Sequence, residues 1–183
     1  DYAGSGMHFH VSMRDDTGRN VFVEAVEGQW NDTLLHAIGG LRATMAESML
    51  IFAPHANSWR RFAAQSYAPV SPNWGVNNRS VALRIPAGDI RARRIEHRPA
   101  GVDANPYLVA TTVLAGIRHG LRHRIDPGPE TTGNGYADAY AKIWGVNWTD
   151  RYVAQRLVDG ESRFDSETFM KIVAASAINL NLH

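Results

Sequence analysis

Residues 77–98 read NNRSVALRIPAGDIRARRIEHR, and their reading decides the fold. Six arginines (Arg79, Arg84, Arg91, Arg93, Arg94 and Arg98) stand against only two acids, Asp89 and Glu96, so the stretch calls for an anion. Two short strands joined at Pro86-Ala-Gly88 are expected, with a period of two that puts Arg94, Glu96 and Arg98 on one face and Arg93, Ile95 and His97 on the other. On that pattern one carboxylate lies between two guanidiniums, an arrangement equally suited to phosphate binding and to a structural ion-pair network.

Upstream, Gly4-Ser-Gly6 opens the run MHFHVSMR, whose alternation places Met7, Phe9, Val11 and Met13 on one strand face and His8, His10 and Ser12 on the other. Two imidazoles at i and i+2 can serve a metal or a phosphate, and can equally be surface residues. The turn Asp15-Asp-Thr-Gly18 is expected to lead into a second strand around residues 20–23. After the capping residues Asn31 and Asp32, apolar positions recur at helical spacing and predict one long helix over 32–50. Residues 51–76 carry three prolines and no period, and are expected to be mostly loop, with Trp59, Arg60, Arg61 and Tyr67 as its notable side chains.

Downstream, Asn105-Pro106 is a strong helix start, and the spacing predicts a buried helix to about Leu121. The Gly/Pro-dense run 126–135 is expected to be a mobile surface loop, with further helices near 149–158 and 166–178, the latter capped by Ser166.

Composition narrows the function classes. The 183 residues are 44% hydrophobic and 20% charged, enough for one good core or a piece of a larger domain. A net charge of +1 speaks for neither nucleic acid nor membrane, although eight of the 17 arginines lie between Arg60 and Arg98. The arginines follow no nucleic-acid recognition motif. The absence of cysteine removes disulfides, thiolate metal sites and cysteine nucleophiles and fits a cytoplasmic setting. No spanning run or signal peptide is evident. The missing initiator methionine reads as a start in mid-protein.

Taken together, GSGMHFHVS, NSWRRFAAQSYAPV, NWGVNNRSVALRIP and RRIEHRPAGVDANPYL resemble, in order and spacing, the C-terminal catalytic half of the glutamine synthetase family. The resemblance is close over about residues 3–121. His97-Arg98 and AGVDANPYL look more like the branch that joins glutamate to organic amines, as in gamma-glutamylpolyamine synthetases.

The resemblance implies an α+β fold with a curved, mainly antiparallel sheet, an incomplete barrel with helices on its outer face. The whole chain, 1–183, would be the C-terminal part of such a domain, inactive alone because further metal-binding carboxylates lie upstream in the family. It implies Mg2+ or Mn2+ at His8 and Glu96, with ATP as co-substrate meeting His10, Ser12, Arg79, Arg84 and Arg91. Gly4, Arg61 and Arg98 match glutamate contacts, and Arg79 and Arg98 are the expected catalytic arginines. Tyr67 occupies the place of the glutamate that lines the ammonium site in ammonia-using members, and Ala3 replaces a common asparagine.

The implied chemistry is ATP-dependent ligation of the glutamate γ-carboxylate to an amine through a γ-glutamyl phosphate. An organic amine or polyamine is expected as acceptor, and a cytoplasmic ring homo-oligomer as the assembly. The alternatives are an ammonia-using glutamine synthetase, told apart by position 67, and a non-catalytic relative, which would have no reason to keep His8, Glu96 and the arginines.

Overall fold

The structure, a computed structural model, describes residues 4–24, 29–62 and 66–137. The expected helices near 149–158 and 166–178, and the departure at Ala3, lie outside them. Four three-residue strands, β1 (Phe9–Val11), β2 (Trp74–Val76), β3 (Leu83–Ile85) and β4 (Ile95–His97), form one open sheet in the order β1-β4-β3-β2. The β1/β4 and β4/β3 pairs are antiparallel and β3/β2 is parallel. Helices α1 (Asp32–Ala43), α2 (Met45–Phe52) and α3 (Pro106–His123) complete an α+β fold.

The period-two reading holds through the sheet. Val11, Ile95, Leu83, Ile85 and Trp74 join one core with Leu34, Ile38 and Leu41 of α1 and Val109, Val113 and Ile117 of α3, so the helices cover the apolar face. The registers His10↔Glu96 and Arg84↔Glu96 leave a polar row on the opposite face. That face holds the candidate site.

Both long helices start where their caps predict. Asn31 Oδ1 accepts from the Thr33 and Leu34 amides, and Asn105 Oδ1 from those of Tyr107 and Leu108. The single helix expected over 32–50 is instead two, with the break at Thr44. The Thr44 hydroxyl turns back to donate to the Gly40 carbonyl and the Ser48 hydroxyl to that of Thr44, a local competition that bends helices.

Helices α1 and α3 meet backbone to backbone. A side chain at Gly40 would collide with the Gly116 carbonyl and the Gly120 amide, and one at Gly120 with the His36 carbonyl. Gly120→Ala is therefore expected to force the helices apart and to lower the stability of the chain by at least about 1–3 kcal/mol, read by urea unfolding. An alanine tolerated there at wild-type stability would refute the close contact.

Three other expectations change. Around 20–23 there is only a bridge, Arg14↔Asn20, because the Asn20 side chain accepts from the Phe22 amide and turns the chain. Residues 51–76 contain a 3-10 turn at Ala56–Arg61 and strand β2, which is too short to show a period.

The run 126–135 is a strap stitched to the edge of β2. Thr131 N donates to Trp74 O (2.9 Å), Val76 N to Glu130 Oε1 (3.0 Å) and Trp74 Nε1 to Gly128 O (3.0 Å). Asn78 Nδ2 reaches the carbonyls of Thr131 and Gly133. The strap supplies partners for an edge strand that would otherwise expose unpaired polar groups.

Candidate active site

The site is built around Glu96, in the middle of β4 and only 3% exposed. Its Oε1 lies 3.0 Å from His8 Nδ1 and accepts from Arg98 Nη1 at 2.9 Å, and its Oε2 accepts from Arg84 Nη1 at 2.7 Å. Arg84 arrives by cross-strand register and Arg98 by its place two residues along the same face. The sequence places Glu96 between Arg94 and Arg98; in the fold Arg84 takes the place of Arg94, whose Nε points to His10 Nδ1 at 3.2 Å.

Burial alone would raise the Glu96 carboxyl, but the Arg84 hydrogen bond and the Arg98 charge outweigh it and hold the group below the ordinary glutamate value. Partial burial and the charge of Arg98 lower His8, against the pull of Glu96. A neutral His8 that donates Nδ1–H to Glu96 keeps its Nε2 lone pair available.

Arg98 is 3% exposed and nearly saturated. Its Nε donates to Val81 O (3.1 Å), Nη1 to Glu96, and Nη2 to both Tyr67 O (3.0 Å) and Arg79 O (2.8 Å). Of the five N–H donors of a guanidinium, one remains for a ligand. Arg98 thus ties the loop bearing Tyr67, the loop bearing Arg79 and the carboxylate of Glu96 into one frame.

The other expected residues fall into two groups. Arg61 stands close to His8 and Gly6, with Nη2 bonded to the Pro99 carbonyl; burial lowers its guanidinium, Asp103 opposes that, and Arg98 adds to it. Tyr67 is 70% exposed, in the left-handed conformation at φ 59°. The Arg79 side chain is exposed above the carbonyl held by Arg98, and Gly4 is exposed with open space around it.

His10 and Ser12 extend the same exposed face along the chain. Arg91 is not brought into the Glu96 cluster: it lines a cleft of about 610 Å3 together with Arg14, Arg19 and Glu24.

Two residues gain a place that the sequence reading did not give them. Arg94 braces His10, and its position on the Glu96 face of the period-two pattern was the available signal. Asp103, bonded by the Ser58 hydroxyl, is an acid whose charge supports that of Arg61, and nothing local marks it.

Among the described residues no three His, Cys, Asp or Glu side chains gather into a metal cage. One carboxylate and one imidazole fit a hard cation such as Mg2+ or Mn2+ only if phosphate oxygens, water or other carboxylates complete its shell. The ion pairs leave acceptor capacity on Glu96 Oε2, so the two donors are compatible with such an ion and insufficient alone.

A family described as "Glutamine synthetase, catalytic domain" matches residues 1–173. The chain belongs to this family. Over 135 residues it is 47% identical to the gamma-glutamylputrescine synthetase of Escherichia coli strain K12, covering 74% of this chain and 28% of that protein. Over 140 residues it is 36% identical to the gamma-glutamylethanolamide synthetase of Streptomyces coelicolor, covering 76% and 30%. The chain therefore spans less than a third of the length of these relatives. A solved GmaS–ADP complex superposes with a TM-score of 0.64 at 28% identity, over 75% of this chain and 32% of that one. In this chain the polar face around Glu96 is built from the stretches GSGMHFHVS and RRIEHR.

Proposed function

We propose that this chain is the C-terminal part of a glutamate–amine ligase that joins the glutamate γ-carboxylate to an organic amine, with ATP converted to ADP and phosphate. The observation that carries the reading is the pairing of buried Glu96 with the exposed His8, braced by Arg84 and Arg98, with Tyr67 held on the same frame. The likeness to enzymes named for putrescine and ethanolamine, and to a GmaS bound to ADP, supports the same acceptor class and nucleotide.

In this reading His8 and Glu96 are the residues that would hold a divalent cation, which would supply neutralisation of phosphate charge. Arg84 and Arg79 face the phosphates and stabilise the charge that develops there, with His10, Ser12 and Arg91 toward the nucleotide. Arg61, Gly4 and the one free N–H of Arg98 receive glutamate. The glutamate γ-carboxylate attacks the γ-phosphorus of ATP and releases ADP; the amine nitrogen then attacks the acyl carbon and phosphate leaves. No side chain of this chain forms a covalent intermediate, so its contribution is positioning and charge. We place the enzyme in the cytoplasm as a ring homo-oligomer, on the family resemblance.

Tyr67 is the acceptor-selecting residue. A carboxylate there attracts ammonium and helps remove its proton, whereas a neutral tyrosine packs against an alkyl chain or attracts a cationic end by about 0.5–2 kcal/mol. In an active protein containing this chain, phosphate release is to be compared for ammonia, putrescine, spermidine, ethanolamine and a monoamine. Organic amines are expected to be preferred, and Tyr67→Glu to move the preference toward ammonia. A wild type that prefers ammonia over every organic amine would defeat the reading, and an unchanged preference in the variant would remove Tyr67 from it.

A further inference from the structure

The segment that follows β4, residues 99–103, is a splint between the two stretches that carry the glutamate end of the site. On one side it binds the chain ahead of β1: Met7 N donates to Ala100 O (2.8 Å), Val102 N donates to Ser5 O (2.9 Å), and Gly6 bridges to Gly101. On the other side it holds the 3-10 turn Ala56–Arg61 at two points, one helical turn apart. Arg61 Nη2 donates to Pro99 O, and the Ser58 hydroxyl donates to Asp103 Oδ2.

The Ser58 contact is a built one. Ser58 is 7% exposed, its oxygen also accepts from the His55 amide at 3.1 Å, and the His55 side chain accepts from the Ser58 amide. The hydroxyl has one proton to give, and it goes to a carboxylate, the stronger class of hydrogen bond.

Arg61, by contrast, is loosely held. Its guanidinium carbon lies 4.5 Å from the Phe62 ring centre, and its Nε is shielded from solvent without a hydrogen-bond partner among the described residues. Its Nη1 and His8 Nε2 stand 3.7 Å and 3.4 Å from the point where a Cβ on Gly6 would lie, so both flank the same glycine. A long side chain with many rotamers and so few bonds does not fix its own direction. The direction follows from where the 3-10 turn places its backbone, and Ser58 is the buried residue through which that turn is tied down.

We propose that Asp103 and Ser58 are positioning residues for glutamate binding: their hydrogen bond clasps the turn Ala56–Arg61 to residues 99–103 and so aims the Arg61 guanidinium at the space beside Gly6 and His8. This rests on the glutamate role proposed for Arg61.

In the chain itself, Ser58→Ala should make hydrogen exchange of the Phe62 amide, which closes the turn on Trp59 O, about tenfold faster, while amides in α1 and α3 stay as protected as before. In an active protein containing the chain, Ser58→Ala and Asp103→Ala should each raise the KM for glutamate about threefold to tenfold, with the KM for ATP and kcat per folded molecule unmoved. The double variant should be no worse than either single one. Asp103→Asn, whose amide oxygen still accepts from Ser58, should stay within about twofold of wild type.

Unchanged exchange at Phe62, an unchanged glutamate KM in the alanine variants beside an Arg61→Ala variant that does raise it, a KM for ATP that rises in step, additive effects in the double variant, or an Asp103→Asn as damaging as Asp103→Ala would each overturn the clasp alone. A glutamate KM that Arg61→Ala leaves at the wild-type value would overturn the glutamate role of Arg61 and the proposal with it.

Discussion

Glu96→Ala is expected to lower the stability of the chain by about 3–5 kcal/mol, because it strands buried guanidiniums that have lost their common counter-charge. Arg84 and Arg98 both bond this carboxylate, their side chains are 15% and 4% exposed, and Arg61 stands close enough to Arg98 for the two charges to repel. Glu96→Gln keeps the volume and an acceptor oxygen and should cost less. Urea unfolding of the two variants against wild type checks the order.

The same pair separates structure from chemistry. In an active protein containing this chain, Glu96→Gln should remove turnover even from the molecules that remain folded, because an amide is a poor ligand for a hard cation. Full turnover per folded molecule in Glu96→Gln would leave Glu96 as the hub of an ion-pair network and nothing more.

Acidification should destabilise the chain well before its carboxylates titrate. His97 lies on the core side of β4, 1% exposed, with its ring 4.5 Å from that of Phe52 and its Nδ1 without a hydrogen-bond partner among the described residues. Burial, aided by the charge of His8, pushes its pKa down to about 3 from 6.5. The unfolded chain therefore takes up a proton that the folded chain refuses. This contribution to stability is complete above pH 6.5 and is lost as pH falls from 6.5 toward 3. Between pH 7 and pH 5 the loss amounts to about 2 kcal/mol.

The lowered His8 acts in the same direction, whereas Glu96, held below its ordinary value, loses its contribution only at more acidic pH. Urea titrations from pH 7 to pH 5 should show the decline, and His97→Phe should flatten it. A His97→Phe chain with the same pH slope as wild type would contradict this assignment.

What could be read from the residues follows the range of the forces involved. Local signals were legible: the asparagine caps at Asn31 and Asn105, the alternation of 7–13, and the shared face of Glu96 and Arg98 all rest on contacts within a few positions. Thr44 broke an otherwise sound helical period because a hydroxyl competing for the i−4 carbonyl does not alter the apolar spacing. Register was not legible. The partner of Glu96 is Arg84 rather than Arg94 because β3 and β4 are joined through 86–94, which includes the 3-10 turn Ile90–Ala92, and no turn rule sets the offset of such a link. The strap was misread for the same reason: its Gly/Pro content reports the lack of a period, while what immobilises it is Asn78 and Trp74, more than fifty positions away.

The site's motifs carried the family because they are contiguous blocks.

The strap has a consequence for how the sheet can grow. With the outward-facing groups of Trp74 and Val76 already bonded to 130–131, β2 cannot accept another strand, and β3 and β4 are flanked on both sides. Among the described residues, addition is therefore one-directional, at the free side of β1. That margin is the one carrying His10, with His8 just before it, so any further strand of the sheet would be laid down alongside the two histidines and its polar face would continue the row His10–Glu96–Arg84.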